Sequence, residues 1–210
     1  MRPGSGFTVG CTTGVRFLGH ACNGTLGAVS TRQTIRIAGD PVLRRRAEEV
    51  SDIDSDLVEL AQDMFTTMYD APGLGLAAPQ VGVGQRFFVY DLGDDAGPQV
   101  LVNPEITGSH DEWTFQEGCL SVPGQHFEVV RPKQIGVKGR DLHGNEVEFE
   151  ADELLARLIQ HELDHLDGIL VLDHLDEDTR REAKRALRRM QMGEVVEPDP
   201  APKGIRRLFN

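Results

Sequence analysis

Between Ile53 and Met68, apolar residues fall at Ile53, Leu57, Leu60, Ala61, Met64, Phe65 and Met68, the spacing of one helix face. Asp52 or Asp54 stands where an N-cap belongs, and Pro72-Gly73 ends the pattern. A second helix is predicted from about Asp152 to Leu166, with Asp152 as its cap and Gly168 as its stop. A third, Glu177 to about Met192, carries only a thin apolar stripe of Ala183, Leu187 and Met190. Between the first two helices the pattern turns extended. Phe87 to Tyr90 reads as a strand, with short extended pieces at Val100 to Val102 and Glu128 to Val130. Ile135 to Lys138 and Val147 to Phe149 flank His143-Gly144-Asn145 and read as a hairpin. Strands between helices without a βαβ rhythm predict an α+β fold rather than a parallel sheet.

The chain has 210 residues, enough for one domain with a core and a tail, and its 39% apolar and 27% charged content is that of a globular protein. Nothing approaches the run of about eighteen apolar residues that a membrane span needs. A net charge of −12 argues against DNA binding by the surface as a whole. The charge is uneven, however: segment 179–192 holds Arg180, Arg181, Lys184, Arg185, Arg188 and Arg189 against a single Glu182. Three cysteines, Cys11, Cys22 and Cys119, do not make a disulfide framework and fit a reducing cytoplasm. Residues 1–34 are rich in Gly, Ser and Thr, hold no acidic residue and lack a steady apolar period. They read as a flexible or spurious extension rather than a targeting signal, with Val29 a candidate GUG start. Residues 35–192 are expected to form the globular domain, and 193–210, with three prolines, a flexible tail.

The strongest chemical signal is His161-Glu162-Leu163-Asp164-His165. Histidines four apart on a helix face the same way and can converge on one metal ion, with the intervening glutamate placed to take a proton from metal-bound water. Leu154, Leu158, His161 and His165 form one stripe, so the imidazoles continue the core-facing side. The plainer reading is a pair of core histidines bonded to backbone carbonyls. A catalytic site needs a third ligand. The metzincin pattern that begins at His165-Leu166-Asp167-Gly168 ends on Val171 instead of histidine, and Glu177 and Glu182, the candidates for a thermolysin-type ligand, belong to a polar, basic segment. Cys119, in Glu117-Gly118-Cys119-Leu120-Ser121, is the better third ligand and makes a Cys-His-His set suited to zinc or ferrous iron. On its own, such a cysteine is more often a small buried hydrophobe. Gly73-Leu74-Gly75-Leu76-Ala77-Ala78-Pro79-Gln80 permits close backbone approach, and the Gln80 amide is a good donor to a developing oxyanion.

Taken in order, Gly73–Gln80, Glu117–Ser121 and Gln160–His165 resemble the three motifs of the peptide deformylase family, and Asp40-Pro41-Val42-Leu43-Arg44 resembles its opening segment. The resemblance covers roughly residues 35 to 192. It implies an α+β fold, with antiparallel sheets packed around a central metal-binding helix and a C-terminal helix. It implies Cys119, His161 and His165 as metal ligands, with Fe2+ the usual ion and Zn2+ or Ni2+ as alternatives. Metal-bound water would be the nucleophile, Glu162 the general acid and base, and the Gln80 side chain and Leu120 N–H the oxyanion hole. The substrate would be the N-formylmethionyl end of nascent peptides in a bacterial cytoplasm. Gly73, Leu74, Gly75, Phe115, Leu154 and Leu158 are the expected substrate-binding residues, with Gly75 in a narrow entrance that excludes longer acyl groups. Pro72 and His126 depart from the residues many relatives hold at positions that contact the peptide. Arg131 and Asp164 match structural or supporting positions; His20, His110, His143 and His174 read as surface or core residues. The basic helix over 179–192 is either a ribosome-docking element or a solvated amphipathic helix. Two other functions compete: a zinc endopeptidase, which the cysteine motif disfavours, and a non-catalytic metal or ribosome-binding module, which needs neither Glu162 nor Gln80.

Overall fold

The computed structural model describes residues 31–194; expectations for residues 1–30 and 195–210 lie outside the described residues. Three helices, α1 (Ser55–Asp70), α2 (Glu153–Leu166) and α3 (Glu177–Gln191), accompany five strands among the described residues. The strands β1 (Gly75–Ala77), β2 (Phe87–Tyr90), β3 (Gln99–Cys119), β4 (Val122–Arg140) and β5 (Glu146–Asp152) form one sheet in sequential order. Every pairing in it is antiparallel, so the α+β expectation holds. None of the described helices is long and apolar enough to cross a membrane.

Of the two cap candidates for α1, Asp54 is the one used: its carboxylate accepts from the Leu57 N–H and the helix starts at Ser55. Asp152 occupies the cap position of α2 but makes no side-chain capping bond. The apolar stripe of α1 packs Leu57, Ala61, Met64 and Met68 against Leu76, Phe87 and Val89. Successive strand residues face opposite sides, so Phe88 and Ala77 meet α2 instead, against Ala156, Ile159 and Leu163. Strand β2 is apolar throughout because helices cover both of its faces. A third cluster joins Val122, Phe127 and Val129 of β4 to Leu170–Leu172 and to Ala183 and Leu187 of α3.

The sheet departs from the predicted elements in length. The short pieces at Val100–Val102 and Glu128–Val130 belong to two long strands, paired from Val102↔Arg140 down to Cys119↔Val122. Residues 105–112 of β3 are all exposed, so no apolar alternation marks them as strand. Backbone pairing with β4 holds them there. The hairpin over β4 and β5 matches its prediction, with Val137 opposite Phe149.

Gly168 ends α2 with φ of 75°, and a Cβ there would lie 2.8 Å from the backbone carbon of Arg44. The opening segment is tied to the same corner, since the Ala47 N–H donates to the Leu166 carbonyl at 2.7 Å. Gly168→Ala therefore meets both a left-handed backbone and a backbone collision. It should lower unfolding free energy by more than the ~1–2 kcal/mol of the dihedral term alone, read from urea denaturation.

Candidate metal centre and active-site cavity

Two elements bring the candidate ligands together. Strands β3 and β4 turn tightly through Leu120-Ser121, which leaves Cys119 as the last strand residue. Helix α2 crosses behind the turn and presents His161 and His165 one helical turn apart, with ring centroids 5.0 Å from each other. Cys119 Sγ lies 3.3 Å from His165 Nε2. The ligand atoms of Cys119, His161 and His165 all fall within 4.8 Å of one another. Ligand bonds of ~2.0–2.3 Å at tetrahedral angles put donor atoms roughly 3.3–3.6 Å apart, so the set fits a small transition-metal ion. His161 Nδ1 donates to Glu117 Oε2 at 2.9 Å, which fixes the tautomer and leaves Nε2 for a metal.

The charges are arranged for a cation. Burial alone would raise the Cys119 thiol. The positive charge of His165, with hydrogen bonds from His161 and His165, reverses this and holds it at about 5. Burial works against protonation of His161, but the neighbouring Cys119 and Glu117 anions push its pKa well above the imidazole range. Burial would also raise Glu117, yet hydrogen bonds from His161 and Arg131 keep it far below the carboxylate range. Arg131 grips Glu117 through Nε at 2.6 Å and Nη2 at 3.0 Å, and Arg157 Nη1 adds a contact of 2.6 Å. Arg131 also reaches Asp164 at 2.8 Å, and His174 meets the same carboxylate at 2.7 Å.

Glu162 behaves differently. Burial raises it to about 7 against the pull of His161 and His165, and its buried Oε2 has no hydrogen-bond partner among the described residues. Gln80 sits in the short 3-10 helix Ala78–Val81 after β1. Its Oε1 accepts from the Ala77 N–H at 2.8 Å, which turns Nε2 toward Ser121 Oγ at 3.3 Å and toward Cys119.

These groups open on a cavity of about 660 Å³. Gly73, Leu74, Gly75, Gln80, Cys119, Leu120, Leu154, Leu158, His161 and Glu162 all line it. His165 lies behind Cys119, and Phe115 is also absent from the wall. Phe115 is four residues back along β3, roughly 13 Å at strand rise, and stacks on Trp113 instead. Pro72 and His126 line the cavity too.

Ile35 and Arg157 are among the wall residues that the sequence did not single out. Ile35 belongs to an extended segment whose Arg36 N–H bonds the Gln80 carbonyl and whose Ala38 N–H bonds the Ser121 carbonyl, at 2.7 and 2.8 Å. Arg157 lies one turn before His161, buried against Glu117, the Val129 carbonyl and the Trp113 carbonyl. An arginine on the apolar stripe four residues before a ligand was the available signal.

The polypeptide deformylase family pattern matches residues 32–181. Among similar proteins, the peptide deformylase of Acidothermus cellulolyticus is 46% identical over 173 residues, covering 82% of this chain and 95% of the relative. That of Clostridium botulinum is 50% identical over 141 residues, covering 67% and 95%. The crystal structure of a peptide deformylase from Legionella pneumophila superposes with a TM-score of 0.75 at 45% identity, covering 77% of this chain and 96% of that one.

Glu117→Gln leaves Arg131 and Arg157 buried beside a neutral amide and should destabilise the fold by about 3–5 kcal/mol in urea denaturation. A carboxyl depressed in the folded state contributes stability that is present above its unfolded pKa and is lost as pH falls toward the folded value. The native protein should therefore lose stability progressively below about pH 4.5. Glu117→Gln should show a shallower loss over the same range.

Proposed function

Because the chain belongs to the polypeptide deformylase family, we propose that it removes the formyl group from the N-terminal methionine of newly made polypeptides and releases formate. The observation that carries this reading is the convergence of the Cys119, His161 and His165 ligand atoms within 4.8 Å, beside Glu162 and Gln80 on one cavity wall. A divalent cation held by these three residues supplies a Lewis acid that acidifies water and polarises an amide carbonyl. Fe2+ is the proposed ion, and Zn2+ or Ni2+ suits the same sulfur and nitrogen donors.

The chain's own groups do the rest. Glu162, a buried carboxyl raised to about 7, takes a proton from the attacking water and returns it to the departing amine. The new C–O bond forms first, and the C–N bond of the formamide breaks as the amine nitrogen takes up the proton, giving formate and a free amino terminus. Gln80, with its carbonyl oxygen tied to the Ala77 N–H, aims its amide hydrogens at the developing oxyanion, and the Leu120 N–H is the second donor. Leu74, Leu154 and Leu158 give the wall its apolar character and suit a methionine side chain.

The test is formate release from formyl-Met-Ala-Ser beside cleavage of the same peptide without its formyl group. Formate without peptide cleavage is expected; cleavage of the unformylated peptide would point to an endopeptidase. Glu162→Gln should keep its full complement of metal and lose ~10³-fold or more in kcat. Near-native turnover by that variant would remove Glu162 from the proposed role.

A second proposal concerns α3, which we infer docks on ribosomal RNA in the cytoplasm, where nascent chains emerge. Arg180 is bound to the Leu175 carbonyl, Arg181 to Glu177 and Asp178, and Arg189 to Glu194. Lys184, Arg185 and Arg188 are exposed and make no ion pair among the described residues. Their spacing of one and three puts them on one face of α3. Changing all three to Gln should weaken co-sedimentation with ribosomes and reduce the salt slope of binding by ~2–3. Unchanged binding would leave α3 as a solvated amphipathic helix.

A further inference from the structure

Along β1 the residues that face α2 are Gly75 and Ala77, while Leu76 faces α1. Glu162 lies directly over the first of these. A Cβ built on Gly75 would overlap Glu162 Oε1 outright and would sit 2.9 Å from its Cδ and 3.0 Å from its Cγ. Real Cβ atoms do not make such contacts, so the carboxylate occupies the volume that any side chain at position 75 would fill. The backbone of Gly75 does not demand glycine, since its φ lies outside the left-handed region and it pairs regularly with Tyr90. Space, not conformation, sets the residue here.

We propose that Gly75 is a positioning residue for Glu162: the bare β1 backbone is the seat on which the carboxylate rests while it faces the cavity. The inference rests on the reading of Glu162 as the proton carrier. It also gives Gly75 a role distinct from the narrow entrance expected from the sequence. An entrance residue acts on the substrate acyl group, and a seat acts on the protein's own carboxylate. The surroundings limit how that carboxylate can adjust, because Glu162 is buried and its helix is fixed by Ile159 and Leu163 in the core, so its open side is the cavity. A methyl group at position 75 must therefore push the carboxylate off its seat toward the cavity, out of the position it holds against the reacting atoms. A displacement near 1 Å costs on the order of 10²-fold in rate.

A mutant cycle on the metal-loaded protein tests this. Gly75→Ala should lower kcat ~100-fold, with KM within about threefold of native and metal content unchanged. Glu162→Asp shortens the side chain by one methylene and clears the added methyl. Adding Gly75→Ala to Glu162→Asp should then cost less than about threefold in kcat. The same coupling should be readable without turnover. Gly75→Ala should lower Tm by several degrees in the native background and by no more than ~1 °C in a Glu162→Ala background. If Gly75→Ala alone does not fold, recovery of folding on adding Glu162→Ala supports the seat, and failure of both overturns it.

Equal losses of kcat and of Tm in both backgrounds would overturn the proposal. So would a change confined to KM, or to discrimination between formyl and acetyl peptides, which is the behaviour of an entrance. Failure of the underlying reading is separable from these outcomes. In that case Glu162→Gln turns over normally while the Tm coupling to Gly75 remains.

Discussion

The carboxylate of Glu117 is buried in a cage of donors, and the site depends on that cage. A carboxylate taken out of water is costly unless opposite charge and hydrogen bonds replace its hydration. Here Arg131 binds both of its oxygens, Arg157 binds Oε1 and His161 binds Oε2. The three partners come from β4 and from two successive turns of α2, while Glu117 itself comes from β3. One ionic cluster thus fixes the helix against the hairpin at the level of the candidate metal ligands. Cys119 is two residues along from Glu117 and on the same face of the strand, so the bond that orients His161 also sets the distance from the thiol to the imidazoles.

The two loops that complete the site are held by backbone bonds. The segment 35–38 donates to the Gln80 carbonyl on one side and to the Ser121 carbonyl on the other, tying the amide donor to the tight turn. Gln80 is locked from within by the Ala77 N–H. Preorganisation of this kind matters because donors that need not reorient cost nothing when charge develops. Two of the buried polar atoms left without partners belong to the candidate site. Oε2 of Glu162 and Nδ1 of His165 are both buried and unpartnered among the described residues.

The sequence made α2 and its ligands legible for a physical reason: a fixed period of 3.6 places His161, His165, Leu154 and Leu158 on one face whatever the rest of the chain does. Cys119 and Gln80 stood out by side-chain chemistry, as a thiol to complete a ligand set and a neutral amide donor, and the fold brings both to the same wall. The length of β3 was not legible, because residues 105–112 bury no side chain and are held only by pairing with a distant strand. Arg157 was hidden for the opposite reason. A charged residue on a helix normally signals solvent, and it is Glu117, forty residues earlier, together with the Trp113 and Val129 carbonyls, that makes burial tolerable. Phe115, expected among the substrate-binding residues, is not part of the cavity wall and stacks on Trp113 along the same strand.

Charge balance narrows what the ligand set can hold. Glu117 and Asp164 face Arg131 and Arg157, so the outer cluster is neutral by itself. The inner cluster consists of a Cys119 thiolate and the Glu162 carboxylate, with two imidazoles that are neutral when they bind a metal. The Cys119 thiolate is a full negative charge and Glu162, raised to about 7, a partial one, so this buried volume favours a cation. Hydrogen bonds and opposite charge from Cys119 and Glu117 push the His161 pKa up despite its burial. Among dications, one thiolate and two imidazoles are too soft and too few for calcium or magnesium, which take six or more oxygen ligands. The same polar set that would be a liability in an ordinary core is therefore suited, in donor type and number, to a metal ion with a coordination position to spare.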